Sequence, residues 1–221
     1  MKIIYRSLSP LILLLLLING DSNAQQFGGI IESGFGVQTG FRKLTGDASI
    51  VRYQVAMGLV YRPWVEFGLS TFVSPNDFGS EIVGFGPNVT FYPLRESSGS
   101  PLTLGIGASY DHVLRPAAVN GAELQRNHVM LNGIAIRTFD ATDWLSLVPQ
   151  AELLFLRAHA ELDGPTGSIE TSESEIGASV GFNLVARPAK NVSILLGWKY
   201  YLGKELFSDT VEFPVSILIS Y

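Results

Sequence analysis

Residues 211–221 read V-E-F-P-V-S-I-L-I-S-Y, and every second one, from Val211 through Phe213, Val215, Ile217 and Ile219 to Tyr221, is apolar. A period of two places those six side chains on one face of a β-strand, opposite Glu212, Pro214, Ser216, Leu218 and Ser220. The strand ends on an aromatic at the chain's terminal carboxylate.

The same alternation recurs upstream, and each time one face is apolar and the other small or polar. In residues 27–41 it sets Phe27, Ile31, Phe35, Val37 and Phe41 against Gly28, Glu32, Gly34, Gly36, Gln38 and Gly40. In 50–61 it sets Tyr53, Val55, Met57, Leu59 and Tyr61 against Arg52, Gln54, Ala56 and Gly58. Further strands are predicted over 65–73, 82–92, 102–112, 145–159, 174–187 and 192–202. Residues 127–138 are apolar on both faces in places, which predicts a bulge or a misplaced boundary there. With the closing strand the tally is ten. The connections alternate between short turns at 62–64, 93–101, 139–144 and 188–191 and longer loops at 42–49, 75–80, 114–126, 161–173 and 204–210. Tyr61, Trp64, Phe91, Tyr92, Trp144 and Tyr221 cluster by the short turns, where an aromatic girdle would sit.

The amino terminus names a compartment. Lys2 and Arg6 precede the apolar run of residues 11–18, and helix-breaking Asn19-Gly20-Asp21 leads to small Ser22 and Ala24. This pattern predicts a secretory signal peptide over residues 1–24, cut after Ala24. The run is too short for a membrane helix, which needs about 20 apolar residues. No later segment reaches that length, so a membrane-embedded chain crosses as strands. Cysteine is absent, which leaves burial and backbone pairing as the sources of stability. The net charge of −5 argues against a nucleic-acid partner.

Two kinds of barrel alternate in this way. A soluble ligand-carrying barrel turns its apolar face inward and needs a charged exterior. Here the polar face is rich in Gly, Ser, Asn and Gln and carries one or two charges per strand, which suits a crowded lumen, whereas the large apolar residues suit lipid. The expected fold is all-β, an antiparallel up-and-down transmembrane β-barrel of about ten strands over residues 25–221. Eight strands stay open because the 127–138 region is irregular.

The aromatic-ended last strand resembles the closing strand of bacterial outer-membrane barrels. The chain over 25–221 resembles the small Gram-negative outer-membrane β-barrels, the grouping of the OmpA-type transmembrane domain and the OmpX-like and opacity barrels. That resemblance implies an outer-membrane location and an assembly signal at Phe213 and Tyr221, read by the barrel-assembly machinery. The partners it implies are outer-membrane lipids and lipopolysaccharide, with periplasmic chaperones during biogenesis. The chain departs from the grouping in its expected ten strands where eight are common, and no peptidoglycan-binding domain is expected after Tyr221.

Alternation also selects the lumen charges. Glu32, Arg52, Glu66, Glu152, Arg187, Lys199 and Glu212 fall on the polar face and form the expected lumen network. Buried charges are costly unless paired, and a barrel of about eight strands is just filled by its side chains. A plug of ion pairs and hydrogen bonds is therefore favoured over a narrow diffusion channel, and the role expected of a plugged barrel is structural or surface-interacting.

No enzyme is expected, and no cofactor or metal. Asp111 and His112 are adjacent and so point to opposite faces. The positions two after His112, His128 and His159 are Leu114, Met130 and Glu161, none of them the serine that known outer-membrane lipid hydrolases place there. Glu161, Asp163, Glu170, Glu173 and Glu175 read as a solvated loop tip without the ordered spacing of a calcium loop.

Overall fold

The computed structural model describes residues 27–44, 51–75, 81–115, 117–119, 122–164, 167–203 and 210–221. The expected signal peptide lies outside them. Twelve strands follow in chain order: β1 (Gly34–Leu44), β2 (Val51–Arg62), β3 (Val65–Pro75), β4 (Glu81–Leu94), β5 (Thr103–Arg115), β6 (Ala117–Val119), β7 (Ala122–Ile136), β8 (Phe139–Thr142), β9 (Leu145–Gly164), β10 (Gly167–Ala189), β11 (Val192–Leu202) and β12 (Thr210–Ser220). The short β6 and β8 are appendages, on β7 and β9 respectively. The other ten form a closed antiparallel barrel, each paired with its chain neighbour, and β1 closes onto β12 in unbroken register from Gly34↔Ser220 to Leu44↔Thr210. No helix among the described residues is long and apolar enough to cross a membrane.

The faces follow the alternation. Tyr53, Met57, Leu59, Phe67, Leu69, Phe85, Val89, Leu131, Val180, Phe182, Phe213, Val215, Ile217 and Ile219 are all exposed on the outer wall. Gln54, Ser70, Asn88, Thr90, Ser109, Asn132, Gln150, Ser179 and Asn183 are buried inside. The inward glycines make room for this polar filling. A methyl at Gly68 would meet Asn88, at Gly107 Asn132, at Gly197 Asn183 and at Gly86 Asp111. Polar side chains thus lie flat over a bare stretch of the neighbouring strand.

Four expectations are corrected. The first strand does not begin at residue 27: Phe27–Gly29 form a 3-10 turn, and Phe27 and Ile31 are buried, whereas alternation placed them beside Phe35 on the outer wall. The turn-back is made at Gly34, whose φ of +149° belongs to a region open essentially to glycine. Of the two alternatives at 127–138, the misplaced boundary holds and the bulge does not occur, because the strand runs from Ala122 to Ile136. β7 pairs without a break to both β5 and β9, and the region reads apolar on both faces because Ile134 and Ile136 line an interior apolar cluster. Register shifts lie instead in the β2–β3, β4–β5, β8–β9 and β10–β11 ladders. Residues 161–173 are not a loop, because β9 and β10 continue as a paired hairpin up to Gly164↔Gly167. Tyr92 leaves the aromatic girdle: Phe91 takes the outward parity, so Tyr92 points inward and is 1% exposed.

Candidate functional site: the filled lumen

The interior has two tiers. At the short-turn end, Phe27 and Ile31 pack into a cluster with Val60, Tyr92, Ile134, Ile136, Val148, Val185, Leu195 and Leu218, contributed by seven barrel strands. The turn preceding β1 is thus folded into the barrel mouth. Polar groups fasten it there. The Gly28 N–H donates to Glu66 Oε2 at 2.8 Å, and the Tyr92 hydroxyl donates to the same oxygen at 2.9 Å. Arg95, in the turn after β4, donates to the carbonyl of Ile31 at 3.2 Å and to that of Pro63. Burial lowers the Arg95 guanidinium from its ordinary value, against the charge of Glu32, which raises it. A methyl at Gly28 would collide with the Tyr92 ring and one at Gly36 with Phe27, so both glycines are spaces the fit requires.

Above this tier the filling is polar. Lys199 Nζ lies 2.8 Å from Glu152 Oε1, and the Ser179 hydroxyl donates to Glu152 Oε2 at 3.0 Å. Glu212 accepts from the Tyr201 hydroxyl at 2.8 Å and from Gln54 Nε2 at 3.1 Å. Asn183 donates to Gln150 at 3.4 Å and Ser216 to Gln38 at 3.3 Å. Where the tiers meet, a cavity of about 30 Å³ is lined by Phe27, Ile30, Lys199, Glu212 and Pro214 among others, the size of one or two water molecules. Met130, Leu154 and Tyr201 form a second, smaller apolar cluster.

The seven residues read from the sequence therefore separate. Glu66, Glu152, Lys199 and Glu212 are buried in the lumen, and Lys199 and Glu152 form an ion pair with each other. Glu66 serves the amino-terminal turn, and its Oε1 makes no hydrogen bond among the described residues. Arg187 is half-buried, lies 3.7 Å from Asp140 of β8 and donates to Ser146. Glu32 is exposed on the segment before β1 and acts on Arg95, which corrects its placement in the network. The side chain of Arg52 is outside the described residues; its backbone is the register partner of Arg42. Sequence reasoning missed Tyr92, Arg95 and the re-entrant turn. The available signal was Gly28-Gly29 interrupting an otherwise regular alternation.

Asp111 is buried and faces inward, with His112 on the opposite face beside Phe85 and Tyr110. No group of three or more His, Cys, Asp or Glu that could hold a metal ion occurs among the described residues. Phe213 stacks on Phe41 across the closing ladder with ring centroids 5.1 Å apart, and a backbone oxygen of Tyr221 accepts from the Ser33 hydroxyl at 2.8 Å.

No protein-family model matches the chain, and no curated protein sequence does. Solved structures do. The β domain of the Bordetella autotransporter BrkA aligns at 12% identity over 86% of this chain and 100% of that one, with a TM-score of 0.51. Neisserial surface protein A aligns at 16% over 86% and 98%, with a TM-score of 0.44. The attachment invasion locus protein Ail of Yersinia pestis aligns at 12% over 85% and 95%, with a TM-score of 0.40. At such identities the likeness is one of fold. The closed ten-strand antiparallel barrel seen here has the architecture of the bacterial outer-membrane β-barrels.

Proposed function

We propose that this chain is an integral outer-membrane barrel whose lumen is closed by its own amino-terminal segment, so that its role is structural or surface-interacting rather than conductive or catalytic. The observation that carries the reading is the seating of Phe27 and Ile31 among the inward apolar side chains of the barrel mouth. A hydrated ion crossing the lumen would have to displace that cluster and then pass the Lys199–Glu152 pair. The exposed outer wall supports membrane residence, because an apolar surface of this extent is unfavourable in water. In that setting the short turns face the periplasm and the long β9–β10 hairpin faces outward. Export through residues 1–24 and assembly through Phe213 and Tyr221 belong to the same reading.

The test is single-channel recording in a planar lipid bilayer on refolded protein beginning at residue 25. Inserted protein, verified by its heat-dependent gel migration, is expected to stay silent at defined salt. Stable discrete steps from the unaltered chain would overturn the closed-lumen reading in favour of a narrow channel for ions or small solutes.

A further inference from the structure

The outer wall is dented on one side. Gly133 of β7 faces outward between its register partners Ile106 of β5 and Leu153 of β9, and a methyl built there would meet nothing. Ile106 and Leu153 are each 64% exposed, and Ile176 on β10 is 70% exposed. Two adjoining hollows of about 490 and 260 Å³ share Ile106, Gly133 and Leu153 and run from Pro93 toward Phe155. Together they form an apolar groove along the strands.

The same strands carry a polar patch where the groove ends at the loop side. The next outward row is Tyr110, Val129, Arg157 and Ser174, and the row beyond it is His112, Asn127, His159 and Ser172. Same-face rows are about 6.8 Å apart along a strand. Arg157 is exposed and has no ion pair among the described residues. His112 Nδ1 is 2.8 Å from Asn127 Oδ1, and His159 Nδ1 is 3.0 Å from Ser172 Oγ, which fixes both rings in the row beyond Arg157, His159 on the same strand and His112 two strands away. One row further out stand Glu161 and Glu170, whose charges set the upper limit of the patch for an anion.

We propose that groove and patch form one site for an anionic, phosphate-bearing lipid of the outer leaflet. The phosphate sits at Arg157, with the Tyr110 and Ser174 hydroxyls as donors and the two histidines alongside, and an acyl chain lies in the groove over Gly133. Guanidinium groups suit phosphate because their planar fork presents paired donors. The order of the parts, cation at the rim and apolar hollow directly below it, is the order of headgroup and chain in such a lipid.

This inference rests on the outer-membrane reading above. The test is native mass spectrometry in a neutral detergent, with a bisphosphorylated lipid A as probe and the same lipid stripped of phosphate as control. The unaltered barrel is expected to retain one lipid A, and the control lipid at least 10-fold less. Arg157→Gln and Gly133→Phe are each expected to lower lipid A occupancy at least 10-fold, the first by removing the charge and the second by filling the groove. Gly133→Leu replaces Gly133→Phe should the larger ring prevent folding. Equal binding of the two lipids, or lipid A bound as well by Arg157→Gln and the groove variant as by the parent, overturns the site. Heat-dependent migration of each protein is read in parallel. A parent chain that shows none overturns the barrel reading itself, whereas folded barrels without lipid overturn this inference alone.

Discussion

Lys199 and Glu152 hold opposite charges 2.8 Å apart with side chains only 6% and 2% exposed. Two charges withdrawn from water at this depth stabilise the fold only through each other, because the cost of desolvating each is comparable to their attraction. Removing one is therefore far worse than removing both. Lys199→Met is expected to destabilise the barrel by about 3–5 kcal/mol, leaving Glu152 with Ser179 alone, while Lys199→Met combined with Glu152→Leu comes back to within about 1 kcal/mol of the parent or above it. Urea unfolding of the refolded proteins in lipid vesicles, followed by tryptophan fluorescence, measures both; a double variant as unstable as the single one would deny that the pair acts as a unit. Alternation along the sequence was enough to place both residues in the lumen. It could not pair them, because partnership depends on the register between β9, β10 and β11, and no single strand encodes that. Arg187 shows the same limit: its inward parity was legible, but its neighbour Asp140 lies on the short β8, which the sequence offered only as a turn.

At the scale of elements, most strands were legible because one apolar face needs one solvent, and the period of two records it. The amino-terminal turn was not, for a physical reason. Phe27 and Ile31 are in phase with Phe35 and Phe41, so a lipid-facing strand and a lumen-facing plug leave the same trace. What separates them is Gly34, with φ at +149° and a backbone so close to Ile219 that a methyl would strike its carbonyl oxygen. Forcing a side chain onto such a conformation costs on the order of 1–3 kcal/mol, and the strain falls where the chain turns back into the barrel. Gly34→Ala is accordingly expected to loosen the turn while β2 to β12 stay paired. The chain has no cysteine, so Phe27→Cys gives a clean reporter. Its labelling by a bulky water-soluble maleimide is expected to be at least 10-fold faster in the Gly34→Ala background than alone; equal rates would mean that the glycine does not hold the turn in place. The β9–β10 hairpin was also hidden, because its acidic, weakly alternating sequence resembles a loop. It is held as strand by continued pairing, with β7 still beside β9 as far as Glu123↔Asp163.

For the molecule as a whole, closure is the decisive property. Nine ladders join chain neighbours, and a tenth, between β1 and β12, removes the last pair of open edges. The 11 residues of β11 tilted at about 40° span roughly 28 Å, close to the apolar band of about 25 Å in outer-membrane barrels, so the belt matches one bilayer. A sheet without edges offers detergent no strand to peel away, and the unaltered chain is expected to migrate differently on SDS gels before and after boiling. The proposed assembly signal nevertheless draws on a different part of the last strand from closure. Deleting residues 216–221 removes the seam pairs from Gln38↔Ser216 to Gly34↔Ser220, together with Leu218 of the interior cluster, and should abolish the heat-dependent shift. Tyr221 lies past the end of β12, is 78% exposed and engages Ser33 through its backbone, its N–H donating to the Ser33 carbonyl at 3.4 Å and its backbone oxygen accepting from the Ser33 hydroxyl at 2.8 Å, so its ring adds little to closure. Tyr221→Ala is expected to refold in detergent with its shift intact and yet, on the proposed assembly reading, to accumulate several-fold less in the outer membrane of cells. An undiminished yield in cells would remove Tyr221 from the assembly signal, and loss of the shift in refolded protein would show that the ring is needed for the seam itself.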